Sequence, residues 1–314
     1  MLLPIKKFYK ILQDPISHKD KLIFKWDNEK LINVKTTKNS FKCINKKPVL
    51  INFSKSIIKK EWFKNNKENI SIIGKRSDFL RKIKNLISGS SSITSSSISI
   101  FKKNLSKDPL VLIIGSGSIG SGLKDLYYDD NIKLIAFDIY PNNKIQFIAD
   151  GHNIPLKDCS VDGVIIQAVL EHVLDPNTVA REIYRVLKKD GIVYAETPFL
   201  QESHEEPYDF TRFTELGHRW LFKNFKQIHR IANGGPGLNL FWSIRSLLRA
   251  ILRSNFVANL ISAPFILLSL IDYIIPEKYK IKAGNGFIFI GKKSKKIIKP
   301  NEIVKYYIGI KRNF

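Results

Sequence analysis

Val111-Leu-Ile-Ile-Gly-Ser-Gly-Ser-Ile-Gly120 decides the fold of this 314-residue chain. Apolar residues run without interruption into a glycine loop, Gly115-x-Gly117-x-x-Gly120. A short continuous apolar run reads as a strand buried on both faces, the signature of a parallel sheet. The loop then opens a helix, expected over about 121–128. Glycines let the backbone turn sharply and let a nucleotide approach, with the first helical N–H groups facing it. A second apolar run, Leu134-Ile-Ala-Phe-Asp138, ends in a carboxylate 18 residues past Gly120, where a ribose-binding acid belongs. A third, Gln146-Phe-Ile-Ala-Asp150, ends the same way before Gly151.

These features alone admit two nucleotides, NAD or S-adenosylmethionine. The next stretch separates them. Ile154 to Pro176 contains Val164-Ile-Ile-Gln-Ala-Val-Leu-Glu-His-Val-Leu-Asp-Pro176. A helix over 178–187 follows, then the turn Arg185-Val-Leu-Lys-Lys-Asp-Gly191 and a strand, Ile192-Val-Tyr-Ala-Glu-Thr-Pro198. Over residues 108–235 the chain resembles class I S-adenosylmethionine-dependent methyltransferases, the broad group that methylates small molecules and glycans. Gly286-Phe-Ile-Phe-Ile-Gly-Lys292 resembles the family's last strand. The resemblance implies an α/β fold: a Rossmann-like, seven-stranded sheet, parallel with one antiparallel strand. It also implies S-adenosylmethionine as cofactor, held by Gly115, Gly117, Gly120, Asp138, Asp150, Gly151 and Gln167. Two positions depart from the family. The acid that holds the donor's amino group, two residues before the first glycine, is replaced by Ile113. The Gly-Gly before the fifth strand reads Asp190-Gly191.

After that strand comes Pro198-Phe-Leu-Gln-Glu-Ser-His-Glu-Glu-Pro-Tyr-Asp-Phe-Thr-Arg-Phe-Thr214, rich in titratable side chains. It resembles the His-x-x-Pro-x-Asp-Phe-x-Arg-Phe-Thr stretch of methyltransferases associated with polysaccharide biosynthesis. Methyl transfer to a hydroxyl needs alignment at about 3–3.5 Å and a general base. His204 is the first candidate, with Glu171, His172 and Asp209 behind it. Asp209 and Arg212 read more simply as a pair that shapes the loop. No metal site is expected: Cys43 and Cys159 are the only cysteines, and no Cys-x-x-Cys occurs.

Between the sixth strand, expected from Phe225 to Ile231, and the last strand lies an insertion, 238–280. Arg245, Arg249 and Arg253 recur every four residues among Phe241, Ile244, Leu247, Leu248, Ile251 and Leu252, a basic amphipathic pattern. Residues 256–275 hold one charge, Asp272. They are long enough to span a membrane, but Pro264 interrupts them, and a crossing would strand the last strand on the far side. A re-entrant or in-plane hairpin is expected, with a buried helical subdomain or dimer surface as the alternative.

The net charge of +24 is uneven: residues 1–107 carry +18, 108–240 carry −5 and 241–314 carry +11. Basic flanks suit an anionic membrane; the acidic centre speaks against nucleic acid, and the base-clamping Asn/Asp-Pro-Pro-Tyr type of motif is absent. Two thiols and no signal peptide suit the cytoplasm, with the protein peripheral on the inner membrane face. In the N-terminal region, 1–87, Lys21-Leu-Ile-Phe and Leu31-Ile-Asn-Val-Lys pair as strands about Asp27-Asn-Glu-Lys. Residues 1–60 faintly resemble the zinc-ribbon-like module that precedes some bacterial methyltransferases, with Asp14-Pro-Ile-Ser17 where its cysteine knuckle stands. Helix is expected over 57–87. The serine tract within 88–107 reads as a linker, the catalytic domain as 108–293 and 294–314 as a basic tail. The acceptor is a small molecule, a glycan or a lipid-linked sugar. The alternatives are a membrane-associated module that binds the donor without transferring its methyl, and an NAD(P)-dependent reductase.

Overall fold

The computed structural model describes residues 1–63 and 90–311. Near the N-terminus, β1 (Ile23–Asp27) and β2 (Lys30–Lys35) form the expected antiparallel hairpin, joined on its other side by β3 (Ser40–Phe41). β4 (Cys43–Ile44) and β5 (Lys47–Pro48) make a second small hairpin. Asp14 organises the turn at the expected knuckle: its carboxylate accepts from Ile16 N at 2.6 Å and from Asn39 Nδ2 at 3.1 Å. Hydrogen bonds to this buried carboxylate hold the loop. Ile57, Ile58 and Lys59 are not helical, Lys60–Phe63 form a 3-10 turn, and residues 64–87 of the expected helix lie outside the described residues.

The serine tract is not a linker. It forms α1 (Ser90–Lys103), which packs on the large sheet. Thr94, Ser97, Ile98 and Phe101 recur at helical spacing and are buried. Serine hydroxyls at 96 and 99 bond to carbonyls one turn earlier instead of competing with the helix. Composition suggested flexibility, but the isoleucines within the tract give it an apolar stripe.

The glycine-loop strand is β6 (Leu110–Ile114), followed by a short α2 (Lys124–Tyr127), β7 (Lys133–Asp138) and β8 (Phe147–Ile148). β9 (Val161–Gln167), α3 (Pro176–Val186) and β10 (Leu187–Pro198) complete five parallel strands. Asp175 caps α3, accepting from the N–H groups of Asn177 and Thr178, with Pro176 in the first turn. α4 (Glu215–Leu221) leads to β11 (Phe225–Asn233). Next come α5 (Pro236–Leu252), α6 (Asn255–Ser262), a 3-10 segment Ala263–Tyr273 and α7 (Glu277–Lys280). β12 (Gly286–Lys293) then inserts between β10 and β11, antiparallel to both. The sheet order is β11-β12-β10-β9-β6-β7-β8. This is the expected seven-stranded sheet, parallel but for β12.

Among the described residues, the N-terminal region shares its core with the large sheet. Phe8, Leu12, Leu22, Leu31, Val34, Phe41 and Leu50 are buried in one cluster with Ile135, Phe147 and Leu156. Val49 pairs in parallel with Ile148, and Leu50 N donates to Ile148 O at 2.7 Å. This covers the β8 edge, which would otherwise expose unpaired backbone groups. The boundary expected at 88 therefore separates no independent units among the described residues. The expected basic tail is also partly packed, since Arg230 donates to Tyr306 O and the Arg219 guanidinium lies over the Tyr306 ring.

The insertion folds back as a hairpin, with α5 against the 3-10 segment. Asp272, the one charge in 256–275, caps α5: it accepts from Gly235 N, Gly237 N and Leu238 N at 2.8–3.0 Å. Both ends return to the same sheet, which excludes a single crossing of a bilayer. It is not a buried subdomain either, for Phe256 is 77% exposed, Leu260 66% and Leu247 61%. Among the described residues, Asn255–Tyr273 is the one helical stretch long and apolar enough for a membrane span. The arginine stripe behaves differently from expectation. Arg245 and Arg249 both pair with Glu202, and Arg253 lies past the end of α5 in the left-handed conformation. Two of the three arginines are thus committed to the protein, because an acidic loop lies within their reach.

Candidate active site

Strand C-terminal ends of β6, β7, β9 and β10 open onto one cavity of ≈ 480 Å³, within the range of nucleotide-sized sites. Gly115, Gly117, Gly120, Asp138, Asp150, Gly151, Gln167 and His172 line it. Gly115 has φ +77°, and a Cβ there would stand 2.2 Å from Val169 Cγ2. A Cβ on Gly120 would stand 1.8 Å from Gln167 Oε1. Gly115 is therefore required by its backbone conformation, while a side chain at Gly120 would displace the end of Gln167 from the cavity rim.

Asp138 sits at the end of β7, and burial pushes its carboxyl up to about 6. Asp150 is more occupied than expected. Its Oδ1 lies 2.6 Å from His152 Nδ1 and accepts from His152 N, while Oδ2 accepts from Ser56 Oγ. Burial would raise its pKa, but the His152 interactions outweigh burial and hold the carboxyl low. An adenine amino group would thus share Asp150 with an anchor to the N-terminal region.

That region was missing from the sequence-based site. Ile57 and Ile58 line the cavity, and Trp62 stacks on Tyr140 and meets Tyr208 edge-on. No motif marks these residues; only the fold brings them over the donor cavity.

Glu196 was also missed. It ends β10 on the α1 side and borders the cavity. Its carboxylate accepts from Tyr194 Oη at 2.6 Å, Gln167 Nε2 at 2.9 Å, Thr94 Oγ1 at 3.3 Å and Asn233 Nδ2. All four donors are neutral, and no ion pair of the described residues includes it. Burial raises its pKa against these hydrogen bonds. Ile113 lies on the same face of the sheet, two strands away.

The acceptor-side candidates converge. Glu171 and His172 lie in a 3-10 turn after β9; His204 and Asp209 lie in the loop after β10. Phe210 N and Thr211 N donate to Glu171 O, joining the two segments. Asp209 grips Arg212 through both oxygens and accepts from His204 N at 2.9 Å. Burial would raise Asp209, but Arg212 and the His204 backbone hold it low. Asp209 is therefore a loop organiser in this arrangement. The His172 and His204 rings meet edge to face at 4.9 Å. Burial lowers the pKa of His204, keeping it neutral near pH 7, and drives Glu171 up to about 8. His172 borders the donor cavity, with His204 and Glu171 behind it.

The residues fit S-adenosylmethionine: a tight glycine cradle, a carboxylate at the ribose strand and a second carboxylate without a cation at the other end. Residues 112–195 match the family model described as methyltransferase domain. No curated protein matches the sequence. Solved structures resemble it at low identity. One is provisionally described as a sarcosine dimethylglycine methyltransferase, from Galdieria sulphuraria (15% identity, TM-score 0.44, 66% of this chain and 86% of that one). Another is the 4+2 cyclase SpnF (14%, TM-score 0.43, 64% and 81%). A third is phosphoethanolamine N-methyltransferase 2 of Haemonchus contortus, in complex with phosphomonomethylethanolamine and S-adenosylhomocysteine (15%, TM-score 0.42, 64% and 53%). The match to a methyltransferase domain is thus carried by residues 112–195, and S-adenosylmethionine is the methyl donor that the site there fits.

Proposed function

Starting from a methyltransferase, we propose that this protein methylates a hydroxyl of a glycan or lipid-linked acceptor at a membrane surface, on the cytoplasmic side. The observation that carries the reading is the tie between the acceptor loop and the apolar hairpin. Glu202, two residues before His204, is held by Arg245 and Arg249 of α5. The loop that receives the acceptor is thus anchored to the helix that carries exposed Leu247 and Ile251. An in-plane helical hairpin of this kind buries its apolar face at the headgroup boundary, which would set the cavity beside the headgroups.

When bound, the donor supplies a methyl group on an already activated sulfonium. The chain's own residues then have three tasks. Asp138 accepts from the ribose hydroxyls, and the glycine loop lets the donor close on the backbone. Glu196 receives the donor's ammonium group in place of the acid missing at Ile113. A buried carboxylate with only neutral donors is stabilised by a cation. The cluster of Glu171, His172 and His204 takes up the acceptor's hydroxyl proton, with His172 at the cavity wall. Its Nδ1 lies 2.6 Å from Tyr208 O. A carbonyl only accepts, so Nδ1 carries the proton and Nε2 is left as the base.

The test uses radiolabelled donor with two acceptor pools, a membrane-lipid extract and a soluble glycan fraction. Label should enter the lipid-linked pool. His172→Ala should cut turnover about 10²–10⁴-fold with the affinity for S-adenosylhomocysteine unchanged. Label in neither pool would favour the second reading, a donor-binding module without transfer, which Ile113 motivates.

A further inference from the structure

The acceptor-side cluster has a property that proton uptake does not require. One ligand-type atom from each of Glu171, His172 and His204 lies within 4.8 Å of the other two. Nε2 of His172 and Nε2 of His204 each stand 3.8 Å from Glu171 Oε1. The outer nitrogen of each ring is engaged elsewhere. His172 Nδ1 faces Tyr208 O at 2.6 Å. His204 Nδ1 faces two acceptors, Glu202 O at 3.3 Å and Asp209 Oδ2 at 3.7 Å, against one donor, Arg212 Nη2 at 3.5 Å. The nearest neighbour of each Nδ1 is a carbonyl, so each Nε2 turns a lone pair toward the carboxylate.

Three electron-pair donors therefore converge on one point. Glu171 is wholly buried, and neither of its oxygens has a hydrogen-bond partner. An isolated buried carboxylate of this kind is strongly unfavourable. Protonation, which burial favours, removes the charge but not the want of a hydrogen-bond partner. At 3.8 Å neither imidazole is close enough to accept from a protonated Glu171. A cation resolves both problems at once.

We propose that Glu171, His172 and His204 bind one divalent transition-metal ion, with coordination positions left open toward the donor cavity for an acceptor oxygen. Two imidazoles and one carboxylate form a donor set that suits zinc or iron, and three protein ligands leave room for a further one. Ligand atoms about 2.1 Å from a tetrahedral ion stand roughly 3.4 Å apart, so the half-buried imidazoles need only a small inward movement. The carbonyls behind the rings supply the outer contacts that orient metal-bound histidines. The proposal rests on reading this cluster as the acceptor end of the site; with the ion bound, His172 Nε2 is a ligand and not the base, and the ion would instead lower the pKa of a bound acceptor hydroxyl.

The full chain, stripped with a chelator, is titrated calorimetrically with Zn²⁺ and spectroscopically with Co²⁺, with no acceptor present. One equivalent should bind, and Co²⁺ should show visible ligand-field bands. Glu171→Gln, His172→Gln and His204→Gln should each weaken binding at least ~100-fold, the upper range for changes that only touch outer-sphere partners. Glu171 is a core residue, so the two half-buried histidine variants carry the test if Glu171→Gln does not fold. No uptake by the wild-type chain, or equal uptake by the histidine variants, overturns the proposal. Methyl transfer that depends on His172 in a chain that binds no metal overturns it too, and leaves the proton-transfer reading in place.

Discussion

The Arg245 guanidinium closes on the Glu202 carboxylate, with Arg249 Nη1 3.3 Å from the same group. One acid from the loop after β10 thereby fastens the apolar hairpin to the acceptor side of the site. Arg245 also lies over the Trp242 ring at 4.3 Å, so the contact is fixed from both sides. Glu202→Gln should loosen this link. The expected outcome is a raised KM for a lipid-linked acceptor, with affinity for S-adenosylhomocysteine unchanged. Equal KM values for wild type and variant would show that the link does not position the acceptor loop.

The Glu196 assignment separates two ends of the donor. Glu196→Gln should weaken S-adenosylhomocysteine binding by about 10–100-fold, in line with a charge-assisted hydrogen bond of ~1.5–3 kcal/mol. Binding of 5′-methylthioadenosine, which lacks the amino-acid end, should be unaffected. Calorimetry with both ligands decides the matter: parallel losses mean that Glu196 only supports the strand ends around it.

Asp138 has its carboxyl raised by burial to about 6. Only the ionised form accepts from both ribose hydroxyls. Donor binding should therefore be level above about pH 7 and weaken as pH falls through about 6, approaching tenfold per unit. Asp138→Asn should bind more weakly throughout and lose the step near pH 6. A step that survives in this variant belongs to another group.

Membrane attachment should depend on apolar contact more than on the arginines, two of which are paired internally. Replacing Leu247, Ile251, Phe256 and Leu260 by serine should abolish co-flotation with anionic vesicles while leaving donor binding intact. These four side chains are 61%, 65%, 77% and 66% exposed. A wild-type chain that remains in the soluble fraction at low salt would rule the membrane reading out.

The sequence by itself determined the sheet and the donor cradle. Val111–Ile114, Leu134–Asp138 and Val164–Gln167 are local patterns, and local patterns dictate strands and their ends. Because parallel strands with right-handed crossovers bring those ends to one edge, Gly115, Asp138 and Gln167 could be placed together without coordinates. The antiparallel β12 was legible only through the family resemblance of residues 286–292, since the crossover rule speaks of parallel strands.

Tertiary structure decided what depends on contacts between distant segments. The serine tract became α1 because a sheet face was available for Ile98 and Phe101 to cover; composition contains no sheet face. Ile57 and Ile58 reached the cavity, and Trp62 reached Tyr140 at its wall, once Val49 paired with Ile148. Glu196 read as an ordinary strand residue until Gln167, Thr94 and Asn233, from three other elements, were seen to converge on it. Arg245 and Arg249 kept their helical spacing, yet Glu202 claimed them from 43 and 47 residues away. Spacing along a helix tells which side chains share a face, while the charge they meet there is set by how the rest of the chain folds against it.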